Sequence, residues 1–295
     1  MSAEVGASDE ANPGRSDHGG RLVGQQAHGA HIAHGAAGNP ILRAHDLSAG
    51  YDGRPVVHGV SVDVSLGQVV SVVGPNGSGK STLLKAIVGV VAVLKGQVML
   101  GETDITNKKA EDITRAGVGY VPQVDDVFGP LSVKENLEMG GYLLPSSQIP
   151  ARIAAVLEVF PRLGSMMTRR AGKLSGGERK MLAMGRVLML RPSVFVLDEP
   201  TANLAPQIAL SLLRDHVRAL ASDGAAVLLV EQRARAALEI SDHTYVLGGG
   251  RLRMSGTPAE LSGSAEFVES FLGGPATAAS QVVSNAPAGT ARSDA

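Results

Sequence analysis

Val69-Val70-Ser71-Val72-Val73 runs directly into Gly74-Pro75-Asn76-Gly77-Ser78-Gly79-Lys80-Ser81, and Thr82-Leu83-Leu84-Lys85-Ala86-Ile87-Val88 follows. The β-branched run predicts a buried strand, and the apolar stretch after the loop predicts a helix. The segment between them fits G-x-x-x-x-G-K-[ST] in the strand–loop–helix setting that the pattern requires. Glycines let successive backbone N–H groups point into one concavity, which binds phosphate oxygens. The helix N-terminus adds partial positive charge. Lys80 is placed to reach β- and γ-phosphates as a point charge, and the Ser81 hydroxyl to ligate Mg²⁺. Gly74, Pro75, Asn76, Gly77, Ser78, Gly79, Lys80, Ser81 and Thr82 are therefore candidate phosphate-binding residues.

A second element lies further along, at Val194-Phe195-Val196-Leu197-Asp198-Glu199. Its apolar residues predict a buried strand, and two carboxylates emerge at its C-terminal end, the edge where open α/β sheets bind ligands. Asp198 is placed to hold Mg²⁺ directly or through water, and Glu199 to orient or deprotonate an attacking water. Ala226–Val230 predicts another strand, and Pro206–Ala221 and Arg233–Ile240 show helical spacing. Tyr245–Leu247, three glycines and Arg251–Met254 predict a hairpin. Strand–helix alternation points to an α/β fold with a mainly parallel sheet. Residues from about 125 to 190, rich in Leu, Met, Ala, Lys, Arg and Glu, predict a helical lobe.

Composition narrows the function classes. The 295 residues carry 27 Lys and Arg against 28 Asp and Glu, a formal net charge of −1. That lacks the basic footprint of a dedicated nucleic-acid binder, so no nucleic-acid partner is expected. Without cysteine there is no disulfide, zinc–thiolate site, iron–sulfur cluster or Cys nucleophile. The longest apolar candidate, Leu83–Leu94, contains Lys85 and is too short to span a membrane. The N-terminus opens on acidic residues with no apolar h-region, so no secretory signal is expected. Residues 1–39, in which Gly and Ala are 16 of 39, and residues 274–295 predict disordered tails around a globular unit at 40–273. His18, His28, His31 and His34 sit in the first tail. Nothing nearby offers the rigid frame and supporting shell of a metal site, and the tract is read as a flexible polar tail.

Leu174-Ser175-Gly176-Gly177-Glu178, taken with the two elements above, resembles the signature of the ABC ATPase superfamily. The order Tyr51, phosphate loop, Gln123, signature, carboxylate strand is similar as well, and the resemblance covers roughly residues 41–262. It implies a P-loop NTPase fold of ABC type, with an antiparallel edge sheet beside the mainly parallel core and the helical lobe. Ser175, Gly176 and Gly177 precede an apparent helix, Glu178–Leu190, and form a second anion site by the same dipole logic. Ser175 with Glu178 is also a capping box, and the two readings are compatible. The resemblance implies that this second site closes over ATP bound to an opposite subunit. It matches Tyr51 to an aromatic that stacks on adenine, with ordinary packing as the alternative. It matches Gln123 to a glutamine that contacts Mg²⁺ and links core to lobe.

Two positions depart from the general superfamily pattern. Gln232, in Val230-Glu231-Gln232, stands where a switch His is usual, and Asn203-Leu204-Ala205-Pro206 stands where Leu-Asp is usual. Both departures are similar to the ATPases of branched-chain amino-acid importers. So are Tyr120-Val121-Pro122-Gln123, Leu131-Ser132-Val133-Lys134-Glu135-Asn136-Leu137 and Ala236-Ala237-Leu238. The subgroup with Gln at the switch typically pairs with a second, His-bearing ATPase. A Gln amide donates to a phosphate but neither carries charge nor shuttles a proton. Catalysis is therefore expected to rest on Glu199 positioning water, with Lys80, Gln123 and Gln232 around the phosphate and Ser81, Gln123 and Asp198 on the metal.

The resemblance implies an ATP-hydrolysing subunit of an ABC importer, using ATP and Mg²⁺, most naturally for branched-chain amino acids. Urea or short-chain amides are the alternative cargo. A soluble non-transport ABC ATPase is the alternative of another class, against which stand the single phosphate loop and the lack of a heptad run. The implied partners are a second ABC ATPase in a heterodimer, integral-membrane permeases and, through the complex, an extracytoplasmic solute-binding protein. The implied location is the cytoplasmic face of the membrane. Asp125–Leu144 is the candidate permease contact, with plain lobe surface as the alternative.

Overall fold

A computed structural model describes residues 39–273. The N-terminal tail up to residue 38, with its four histidines, and the tail at 274–295 lie outside the described residues.

Two sheets carry the fold. The first pairs β1 (Leu42–Tyr51), β2 (Arg54–Val64), β4 (Ala92–Leu100) and β5 (Thr103–Asp104) antiparallel in the order β2-β1-β4-β5. Its first hairpin turns on Asp52-Gly53, both with positive φ (50° and 73°), the left-handed pair that a two-residue type I′ turn demands. The second sheet contains β3 (Val69–Val73), β6 (Val118–Val121), β7 (Val194–Asp198), β8 (Ala226–Glu231), β9 (His243–Gly248) and β10 (Arg251–Gly256). Its order is β10-β9-β3-β8-β7-β6, and every pair except the terminal β9–β10 hairpin is parallel.

The unbroken apolar runs follow from burial on both faces. Along β7 and β8, Val194, Val196, Ala226, Leu228 and Val230 pack into one core with the first sheet and α1 (Lys80–Ile87). The alternate residues Phe195, Leu197, Val227 and Leu229 face a second core. Period-two side-chain direction thus divides each strand between two cores. The Leu83–Leu94 run does not stay one element: α1 ends at Ile87 and β4 opens at Ala92.

The second core is closed by helices. After a short α2 (Ala110–Arg115) come α3 (Val133–Gly140), α4 (Ile149–Val159), α5 (Pro161–Gly164) and α6 (Gly176–Leu188). Ser132 with Glu135 and Ser175 with Glu178 cap α3 and α6 as reciprocal capping boxes. The stretch predicted helical from Pro206 forms α7 (Pro206–Ser211), a π-helical segment Leu212–Val217 and α8 (Arg218–Ser222), and α9 (Ala234–Leu238) follows β8.

Asn136 staples the irregular chain before α3. It is fully buried, accepts from the Phe128 N–H at 2.8 Å and donates to the carbonyls of Phe128 at 3.0 Å and Ser132 at 2.9 Å. Replacing it with the similarly sized leucine strands the Phe128 N–H and C=O in an apolar setting. Asn136→Leu is expected to lower unfolding free energy by about 2–4 kcal/mol, read from guanidinium denaturation of the full chain. An unchanged midpoint would contradict this account of the lobe.

Candidate functional site

Strand register assembles the site. Val73 of β3 pairs with Glu231 of β8, Val230 of β8 with Asp198 of β7, and Leu197 of β7 with Val121 of β6. The chain therefore leaves these strands at nearly one level. Gly74, Gln232, Glu199 and Gln123 all begin loops at the C-terminal edge, where open α/β sheets take ligands.

The loop before α1 has the shape its glycines suggest. Gly77 and Gly79 are left-handed at φ 76° and 97°, which turns the backbone in a way side chains rarely permit. Lys80 is buried, and its Nζ donates to the carbonyls of Gly74 at 3.0 Å and Pro75 at 3.1 Å, with Glu199 Oε1 3.7 Å away. The buried Ser78 hydroxyl has no hydrogen-bond partner. A left-handed amide cradle, an unpaired hydroxyl and a buried ammonium together suit a phosphate chain.

Candidate oxygen ligands follow at the start of α1 and on β7. Ser81 Oγ donates to Asp198 Oδ1 at 2.9 Å, and the Tyr120 hydroxyl donates to Asp198 Oδ2 at 3.4 Å. Burial first, then the charge of Asp198 and its hydrogen bond, then nearby Tyr51, hold the Tyr120 hydroxyl far above its usual range. Tyr120 therefore stays protonated and keeps donating. Among the described residues no cluster of three His, Cys, Asp or Glu is placed to hold a metal unaided. The hard oxygen set of Ser81, Asp198 and the Gln123 amide fits Mg²⁺, which commonly takes one or two carboxylates and completes its shell with phosphates and water.

Glu199 sits in the left-handed region at φ 44°, unusual for a residue other than glycine. One oxygen faces Lys80, and the other accepts from Gln123 Nε2 at 2.8 Å. Gln123 is held in turn by α6: Lys180 Nζ donates to its carbonyl at 2.7 Å and pairs with Asp126 at 2.7 Å, both side chains nearly buried. Arg186, also on α6, donates to the Asp126 carbonyl at 2.6 Å and lies 4.4 Å over the Phe128 ring.

A cavity of about 400 Å³ collects Asn76, Gly77, Gly79, Lys80, Ser81, Thr82, Gln123, Glu199 and Gln232, with Val56 of β2 at its wall. Asp198 joins it through Ser81. Gly74, Pro75 and Ser78 belong to the loop without lining the cavity. Tyr51, half exposed at the end of β1, also lies outside the lining. Ser175, Gly176 and Gly177 are not brought to this cavity. The two glycines pack against the loop before α7 and the start of α7: a Cβ on Gly176 would come within 2.8 Å of Leu204 Cδ2, and one on Gly177 within 2.9 Å of Ile208 Cγ2.

Tyr120, Lys180, Thr201, Glu231 and Arg233 carry contacts that sequence reasoning assigned no role. Glu231 left a signal, a carboxylate closing an otherwise apolar run. It is 2% exposed and accepts from Thr201 N–H at 3.1 Å and Thr201 Oγ1 at 2.8 Å, and the Arg233 N–H donates to it as well. Burial pushes its carboxyl up to about 7, the hydrogen bonds opposing and the Glu199 charge adding.

A parallel strand feeding a glycine-rich phosphate cradle, with a carboxylate strand beside it, defines a P-loop nucleotide-binding ATPase. A family profile described as "ABC transporter" matches residues 57–202. The chain is 43% identical over 234 residues to the probable branched-chain amino acid transport ATP-binding protein LivF of Archaeoglobus fulgidus, covering 79% of this chain and 99% of that one. It is 38% identical over 234 residues to the high-affinity branched-chain amino acid transport ATP-binding protein BraG of Pseudomonas aeruginosa, covering 79% and 100%. The crystal structure of the ADP conformation of an ATP-binding cassette of an ABC transporter superposes with TM-score 0.71 at 30% identity, over 80% of this chain and 99% of that one. The chain belongs to the ABC transporter family, as one of its ATP-binding subunits. It binds ATP, couples hydrolysis to transport and works in a complex with membrane components. Among the described residues no helix is long and apolar enough to cross a membrane.

Glu231 makes stability depend on pH. Its proton is held more tightly in the folded chain, about 7, than at the ordinary 4.5, so folding takes up a proton between those values. The stabilisation is complete below 4.5 and is lost as pH rises through about 7. Glu231→Gln keeps an acceptor oxygen and removes this dependence. The stability of wild type relative to Glu231→Gln is expected to fall by roughly 2–3 kcal/mol from pH 5 to pH 8. A pH-independent difference in paired urea titrations counts against the assignment.

Proposed function

We propose that this chain is the ATP-hydrolysing subunit of an importer of branched-chain amino acids at the cytoplasmic face of the membrane. Its partners are a second, His-bearing ATPase, integral permeases and, through the complex, an extracytoplasmic solute-binding protein. The observation that carries the cargo is the near full-length similarity to two relatives named for that transport. Gln232 at the switch supports pairing with a different ATPase.

The chemistry is in-line attack of water on the γ-phosphate. The loop amides and Lys80 hold the phosphate chain, and Lys80 neutralises charge that develops on it. Mg²⁺, held by Ser81, Asp198 and Gln123, supplies further charge neutralisation when bound. Glu199 accepts a hydrogen bond from the attacking water and takes its proton. Gln123 and Lys80 already flank the Glu199 carboxylate, and its left-handed backbone aims it at the cavity. Gln232 donates to the γ-phosphate without changing charge. Tyr51 stacks on adenine, and Ser175, Gly176 and Gly177 close over ATP held by the partner ATPase, so ATP and that partner bind with reciprocal coupling.

The permease surface is the groove of about 630 Å³ beside the Gln123 loop, lined by Pro122, Asp125, Met139, Tyr142 and Arg186 among others. Met139 and Tyr142, which line it, are 48% and 58% exposed, and Val124, next to Gln123 in the chain, is 66% exposed. The segment Asp125–Leu144 thus joins the membrane partner to the nucleotide site through Lys180, Asp126 and Gln123. The globular unit is 40–273, with its helical lobe at about 125–190.

Glu199→Gln is expected to lower ATP turnover about 100-fold or more while retaining ATP binding; near-normal turnover would remove Glu199 from its role. Tyr142→Glu is expected to abolish co-purification with the permeases and uptake of labelled leucine, leaving ATP binding by the full chain intact. Uptake of labelled urea in place of leucine would overturn the cargo.

A further inference from the structure

Gln232 lines the phosphate cavity, and both its neighbours are tied to the loop that follows Glu199. On one side, the buried Glu231 carboxylate accepts from the Thr201 N–H at 3.1 Å and from Thr201 Oγ1 at 2.8 Å. On the other, Arg233 Nη2 donates to the Leu204 carbonyl at 2.7 Å, while its buried Nη1 has no partner. The same Glu231 carboxylate accepts from the Arg233 N–H and so folds the switch turn upon itself. The loop 199–205 is tight: Ala202 N–H donates to Glu199 O at 3.0 Å, Leu204 N–H to Thr201 O at 3.2 Å, and Glu199 and Asn203 are both left-handed. Its far side meets the signature, where a Cβ on Gly176 would come within 2.8 Å of Leu204 Cδ2.

We infer that Thr201, Glu231 and Arg233 are positioning residues, a clamp that fixes Gln232 over the phosphate site by tying the switch turn to the loop after Glu199. The inference rests on the ATPase reading above and deepens it. Glutamine has three side-chain torsions and is more mobile than an imidazole, so its placement depends more on the backbone that carries it. The clamp supplies that constraint at two points, one on each side of Gln232. Because the clamped loop also lies against Gly176 through Leu204, a shift of the signature on closing over nucleotide displaces Leu204 and, through Arg233, the switch turn. Closure at one nucleotide and the position of Gln232 at the other are thereby linked within one chain.

The test uses the full chain with its partner subunits, comparing steady-state ATP hydrolysis and equilibrium binding of a fluorescent ATP analogue. Arg233→Met keeps the aliphatic stem and removes the donors; Arg233→Lys restores one. Thr201→Val removes the hydroxyl with almost no change of shape, and stands in should Arg233→Met fail to fold. Both Arg233→Met and Thr201→Val are expected to lower kcat five- to tenfold with KM for ATP within twofold, and Arg233→Lys to recover at least half. In a Gln232→Ala background the further loss from either variant is expected to be under twofold, since they act through Gln232. Variants with kcat within twofold of wild type, or losses that multiply with Gln232→Ala, overturn the clamp. A wild-type complex that binds the analogue but does not hydrolyse ATP overturns the ATPase reading instead, and the clamp with it.

Discussion

Everything at the candidate nucleotide site depends on the parallel register of β6, β7, β8 and β3. Parallel strands in register end together, and each of these ends is followed by a loop that contributes to the cavity lining. A slip of one residue in any pair would turn alternate side chains to the opposite core and carry a loop off the edge. The register is defended by burial, since Val194 and Val196 belong to one core and Phe195 and Leu197 to the other. The same apolar runs that stabilise the sheet therefore align the chemistry at its edge.

The formal charge of −1 conceals a dense local arrangement of charge. Lys80, Asp198, Glu199, Glu231 and Lys180 are all largely buried, and each has a partner. The ion pairs among them, Lys80 with Glu199 and Lys180 with Asp126, contribute little net stability, because desolvation offsets attraction. Their value is placement: each carboxylate or ammonium has few positions open to it. The left-handed Glu199 extends this logic to the backbone, storing a small strain where the site needs direction. Helix α6 serves both ends, its N-terminus bearing the signature and its middle holding Gln123 through Lys180.

Much of this was legible in the chain. The strand at Val69–Val73 and the loop after it follow from β-branched residues and glycine spacing, and both appear at the expected residues. The strands before Asp198 and Gln232 and the capping box at Ser175 follow in the same way. The antiparallel sheet was expected only through family resemblance. Its strands alternate weakly and contain bulges at Ala44–Leu47 and His45–Ser48, although Asp52-Gly53 is a legible hairpin signal. The roles of Glu231, Lys180 and Arg233 were not legible, because their partners lie about 30, 57 and 29 positions away. No local pattern records such contacts.

By itself, then, the sequence determined the phosphate loop, the strand that ends in two carboxylates and the capping box at Ser175. These are local matters of residue type and short spacing, which backbone stereochemistry and side-chain chemistry translate directly, whereas the signature and the switch position were read through the family resemblance. Only the tertiary structure decided that Gln123 and Lys80 flank Glu199, that the signature glycines lie against Leu204 and Ile208, and that the switch turn is pinned by Glu231 and Arg233. The physical reason is that these contacts are set by strand order and register, which a long-range balance of burial selects and no single segment encodes.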